Sequence, residues 1–107
     1  MTLNEFQGAC SRTHDAPFPE RERLFVMALG LCGEAGEVAD LVKKLAWHGR
    51  SEGEFRAILA EELGDVLWYV ADLCTSCGLD LEAVAAGNVD KIARRYPEGF
   101  LVGGGVR

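Results

Sequence analysis

Helix periodicity dominates the chain, and the strict apolar–polar alternation of a half-buried strand is absent. At about 100° per residue, Leu24, Met27, Leu31, Ala35, Val38, Val42 and Leu45 fall on one helical stripe. Phe55, Ile58, Leu59, Val66, Val70 and Leu73 form a second. Thr2 to Glu5 and Ser51 to Glu54 read as capping boxes that open helices near residues 3 and 52. DAPFP, residues 15–19, ends the first helix, and Pro19 suits the first turn of the second, which runs to about Trp47. HGRSEG, residues 48–53, is a short connection. Gly78 stops the third helix, and Asp80 can cap a fourth that ends before Pro97. The pattern predicts an all-α, four-helix bundle-like domain over residues 1–97, followed by a loose tail over 98–107.

Two carboxylates break the apolar stripes. Glu34 falls within roughly 20° of Met27, Leu41 and Leu45, with Glu37 one step toward the edge beside Gly30. Glu62 projects from the middle of the third helix's apolar face, flanked by Asp65 and Tyr69. An unpaired carboxylate in an apolar face is expensive, so two such intrusions call for a shared explanation. Residues three apart on a helix are neighbours, which makes Glu34 with Glu37, and Glu62 with Asp65, close acidic pairs. A short connection implies antiparallel packing, and the four carboxylates then converge across the seam. Like charges at that range repel unless a cation neutralises them, and oxygen-only ligands select Mg²⁺ or Mn²⁺. A di-iron bundle would need Glu-x-x-His, and neither His14 nor His48 lies three residues after a glutamate. Glu61, Asp72 and Asp40 read as solvated faces. Gly30 and Gly33 leave backbone uncovered beside Glu34 and Glu37, which gives a bulky ligand room to approach.

Composition narrows the partners. At 107 residues with 49% hydrophobic and 26% charged residues, the chain is one globular domain, and a helical fold this small gains by pairing with further copies as a homodimer or homotetramer. A net charge of −6 opposes a surface that holds a nucleic-acid polymer by its phosphates. No segment is apolar for long enough to span a membrane, and MTLNEFQG has neither the basic region nor the apolar core of a signal, so a cytoplasmic location is expected. Cys10, Cys32, Cys74 and Cys77 read as packing cysteines in a reducing compartment; the C-x-x-C in CTSC closes a helix, whereas a thioredoxin-like site opens one after a strand.

The order GEAGEVADLVKK, EELGDVLWYVADL, LDLEAV and NVDKIARRYPEGF resembles the MazG-like nucleoside triphosphate pyrophosphohydrolases over nearly the whole chain. The resemblance implies an all-α Mg²⁺ enzyme that cleaves a nucleoside triphosphate to the monophosphate and pyrophosphate. The metal pattern of that family, E-E-x-x-E and then E-x-x-D, falls on Glu34, Glu37, Glu62 and Asp65, with Gly33 where the first glutamate would stand. The resemblance also implies phosphate or sugar contacts from Asn88, Lys91 and Arg95, and a base contact from Tyr69, one turn after Asp65. Phe18 and Gln7 are further candidate base neighbours. Lys44 can either meet a phosphate or pair with Asp40 at i, i+4.

The resulting expectation is metal-assisted hydrolysis, with Glu34 and Glu37 catalytic and Glu37 the acceptor of the water proton. Its rival is a non-catalytic oligomeric bundle whose acidic face binds a metal or a partner. Nucleotide hydrolases that cut the outer bond use a Gly-rich loop ending in Gly-Lys-Ser/Thr; this chain has none, which points to the inner bond.

Overall fold

The computed structural model describes residues 1–14, 20–49 and 51–99. They form four α-helices, α1 (Leu3–Thr13), α2 (Glu20–His48), α3 (Glu52–Ser76) and α4 (Leu81–Arg95), and no strand. Phe18, Pro19 and the tail from residue 100 onward lie outside the described residues.

The predicted helix ends rest on identifiable hydrogen bonds. The Thr2 hydroxyl accepts from the Glu5 N–H at 3.1 Å, and the Glu5 carboxylate accepts from the Thr2 N–H at 2.9 Å, which completes the box that opens α1. The Ser51 hydroxyl accepts from the Glu54 N–H at 3.2 Å and opens α3. At the other end of α3, Gly78 takes φ +68°, and the N–H groups of Gly78 and Leu79 donate back to the carbonyls of Thr75 (3.2 Å) and Cys74 (2.7 Å). This is a Schellman stop, and it depends on a residue that tolerates the left-handed conformation.

Asp80 occupies the N-cap of α4, yet its side chain makes no capping bond. The first amides of α4 are bound instead from α1: Leu81 N–H donates to Gln7 Oε1 at 2.8 Å and Glu82 N–H to Asn4 Oδ1 at 3.2 Å. The Gln7 amide also donates to the Leu79 carbonyl (2.9 Å) and the Thr75 hydroxyl (3.2 Å). Gln7 is therefore an anchor for the α3–α4 turn. A cap supplied from another helix leaves no signal in local sequence.

α2 and α3 pack as a long antiparallel pair, with α1 on α3 and α4 on α1. Along α2, Met27, Leu31, Glu34, Val38, Leu41 and Leu45 are partly or fully buried at a 4-3-4-3-4 spacing, with Arg23, Gly30 and Asp40 partly buried beside them. Ala35 and Val42, placed in the stripe at 100° per residue, are exposed, and Leu24 is 36% exposed. The reason is drift. Over 29 residues a straight 3.6-residue repeat rotates about 20° per heptad away from a partner helix, and a supercoiled pair corrects to 3.5. α3 follows the same rule through Phe55, Leu59, Glu62, Val66, Tyr69 and Leu73, all partly buried. A separate core of Cys10, Ala71, Cys74 and Leu81 joins α1, α3 and α4, with Leu3, Phe6, Trp68 and Val70 packed on it.

Candidate active site

Glu34 and Glu62 occupy seam positions of α2 and α3, so supercoiling turns both toward the partner helix where a Leu or Val would ordinarily pack. Glu34, Glu62 and Asp65 each offer a carboxylate oxygen, and these oxygens lie within 4.8 Å of one another. Loss of hydration, followed by the charges of Glu34, Asp65, Glu37 and Glu61, pushes Glu62 above the usual carboxylate range. Glu37, one turn beyond Glu34, is exposed and stands outside the close trio, although its charge still acts on Glu62. Three hard oxygen donors under mutual repulsion fit a divalent cation of the Mg²⁺ or Mn²⁺ kind. The trio consists of carboxylates alone.

Beside the trio lies a cleft of about 320 Å³ lined by Glu34, Asp65, Trp68 and Tyr69. The Tyr69 ring lies directly over Gly30, where any Cβ would overlap it, so Gly30 is a packing glycine for the aromatic ring and is not open to a ligand. Gly33 has open space beside it. Trp68 meets Tyr69 edge to face at 4.9 Å between centroids and donates from Nε1 to the Thr13 hydroxyl at 2.9 Å. The sequence points to Tyr69; Trp68 goes unremarked there because its helical position matches neither apolar stripe.

Other predicted contacts are not brought to the carboxylates. Asn88, Lys91 and Arg95 are exposed on α4, which packs against α1, and none of them lines the cleft. Lys44 takes the second of its two options and pairs with Asp40 at 2.8 Å. Asp72 departs furthest from expectation. Its side chain is 0% exposed and bonded to Arg23 Nη2 at 2.7 Å, so it belongs to the interior and not to a solvated face. Cys10 and Cys74 pack in the core, and burial pushes both thiols up, whereas Cys32 and Cys77 are exposed; all four are free.

A family model described as the MazG nucleotide pyrophosphohydrolase domain matches residues 25–100, a span that carries all four acidic positions and both aromatic residues of the cleft. The chain belongs to this family. Membership makes this MazG domain a hydrolase of the nucleoside triphosphate pyrophosphatase class and favours that reading over a non-catalytic bundle. Among relatives, the gene 37 protein of Mycobacterium phage L5 is 41% identical over 86 residues, 78% of this chain and 75% of that protein. The dCTP pyrophosphatase 1 of Homo sapiens is 38% identical, and that of Bos taurus 37%, each over 79 residues. Those 79 residues are 66% of this chain and 44% of each pyrophosphatase, so the MazG chain spans less than half the length of these relatives. No solved structure matches it. The match begins after Arg23, so α1, His14 and the first turn of α2 fall outside it.

Proposed function

We propose that this MazG-family chain hydrolyses a nucleoside or deoxynucleoside triphosphate to the monophosphate and pyrophosphate in the presence of Mg²⁺ or Mn²⁺. The observation that carries the reading is the convergence of Glu34, Glu62 and Asp65 oxygens within 4.8 Å across the α2–α3 seam. These three would hold the cation, with Glu37 completing the acidic set. When bound, the cation supplies charge neutralisation of the polyphosphate and lowers the pKa of water. Glu37, exposed and outside the trio, would accept a proton from the attacking water. Tyr69 and Trp68 offer flat apolar surface to a base, which favours stacking on any nucleobase. Because two of the relatives are dCTP pyrophosphatases, dCTP is the first substrate to test.

Turnover of a nucleotide panel, read by product mass, is expected to stop with excess EDTA and return on addition of Mg²⁺ or Mn²⁺. Activity that persists in the chelator would remove the metal from the scheme. In isotopically labelled water, phosphorus NMR should show monophosphate and pyrophosphate in equal amounts, with the label on one of them. A nucleoside diphosphate as first product would show that the outer bond is cut. The inner bond is favoured because no Gly-rich phosphate loop is present to grip the β- and γ-phosphates.

Homo-oligomerisation, as a dimer or tetramer, is the second element of the proposal. Phe25, Leu29, Val42 and Leu63 are 55%, 74%, 50% and 49% exposed, and the radius of gyration is 16.8 Å, against about 13 Å for a compact chain of this length. Copies that cover these side chains would restore an ordinary ratio of core to surface. Light scattering coupled to gel filtration should give a mass at least twice 11.6 kDa. A monomer at micromolar concentration would refute the assembly.

A further inference from the structure

Asp72 is fully buried, and a carboxylate out of water requires opposing charge or hydrogen-bond donors. Contacts reach it from two other parts of the chain: Oδ1 is hydrogen-bonded, while Oδ2 lies close to an imidazole without a hydrogen bond. Arg23, in the first turn of α2, donates from Nη2 to Oδ1 at 2.7 Å. His14, the C-cap residue of α1, places Nδ1 at 3.3 Å from Oδ2, with 5% of its side chain exposed. The Asp72 charge also reaches Cys10, adding to the burial that pushes that thiol up. One carboxylate thus ties α1 and α2 to α3. A well-packed apolar group at such a position is often as stable as the ion pair or more so, so stability alone does not account for a charge there.

The far side of His14 supplies a reason. Its ring stacks on Trp68 at 6.1 Å between centroids and 24° between planes, while the adjacent Thr13 accepts from the Trp68 N–H. Tyr69 closes the third side of the indole at 4.9 Å. Trp68 and Tyr69 together form the wall of the cleft that Glu34 and Asp65 complete. The ion pair, the stack and the wall are therefore one connected run of contacts from α2 to the cleft.

We propose that Asp72 is a positioning residue: through Arg23 and His14 it sets the orientation of Trp68, and with it the aromatic wall that receives the nucleobase. The inference rests on the hydrolase reading for its substrate. It adds to that reading a device built partly from His14 and Arg23, which lie outside the span matched by the family.

The test uses a Trp47→Phe background, which leaves Trp68 as the sole indole. Asp72→Asn keeps the shape of the side chain and one acceptor but loses the charge. It should retain its helicity by circular dichroism, shift Trp68 emission to longer wavelength, and raise KM about tenfold with kcat held within about twofold. Adding Trp68→Phe should raise KM no further, because both changes act through the same ring. A kcat that falls as far as kcat/KM, or KM effects that multiply, would overturn the proposal. If Asp72→Asn loses helicity, His14→Gln takes its place, since it leaves the Arg23–Asp72 pair intact; unmoved emission and unchanged KM there would also overturn it. A parent protein without turnover would refute the hydrolase reading, and the position of Trp68 emission in Asp72→Asn would still decide the positioning role.

Discussion

Glu62→Gln is expected to lower turnover roughly 10³-fold, since a metal contributes several kcal/mol of charge stabilisation in such chemistry and each 1.36 kcal/mol is tenfold in rate. The same substitution should stabilise the metal-free protein at neutral pH. Glu62 has a folded-state pKa raised by lost hydration and by Glu34, Asp65, Glu37 and Glu61. A raised carboxyl pKa means that the folded state binds more protons than the unfolded one, so stability falls as pH climbs from the ordinary carboxylate range through the raised value. Above that window the full penalty of ionised Glu62 is present, and a neutral amide removes it. Thermal melts of wild type and Glu62→Gln in EDTA at pH 7 should therefore show the variant melting higher. Near pH 4 the difference should shrink, because Glu62 is then protonated in the native protein. Saturating Mg²⁺ should raise the melting temperature of the wild type more than that of the variant. A variant that melts lower in EDTA and loses helicity would assign Glu62 a structural role.

Asp72→Ala should destabilise the chain by about 3 kcal/mol, measured by urea denaturation. Removing Asp72 leaves the His14 side chain, 5% exposed, and Arg23 Nη2 without the carboxylate they share. The Arg23 side chain is 25% exposed and can recover some hydration, which keeps the cost toward the lower end of what broken buried pairs show. A loss below about 1 kcal/mol would mean that the pair is solvated in the native protein.

Most of the helical frame and the acidic pairs were legible in the sequence because the signals are local. A Thr or Ser followed three residues later by Glu, a Gly at a helix stop, and a carboxylate in an apolar stripe each report on neighbours a turn away. Glu34 and Glu62 stood out because each replaces an apolar residue in a repeating pattern. A fixed 100° per residue puts Ala35 and Val42 on a seam that Leu41 occupies instead, because the pitch of a helix adjusts to its partner over a length that a fixed angle does not follow.

Local pattern in this chain was enough to specify four helices, the start of α1, both ends of α3 and two acidic pairs on α2 and α3, since hydrogen bonding and burial periodicity act within a turn or two of each residue. Contacts between residues far apart in the chain decided the rest. Asn4 and Gln7 cap α4 across more than seventy residues of sequence, Tyr69 fills the space above Gly30, and Asp72 lies buried between Arg23 and His14. An aspartate reads the same in sequence whether it faces water or an arginine, because its charge state and burial follow from which other helix arrives beside it.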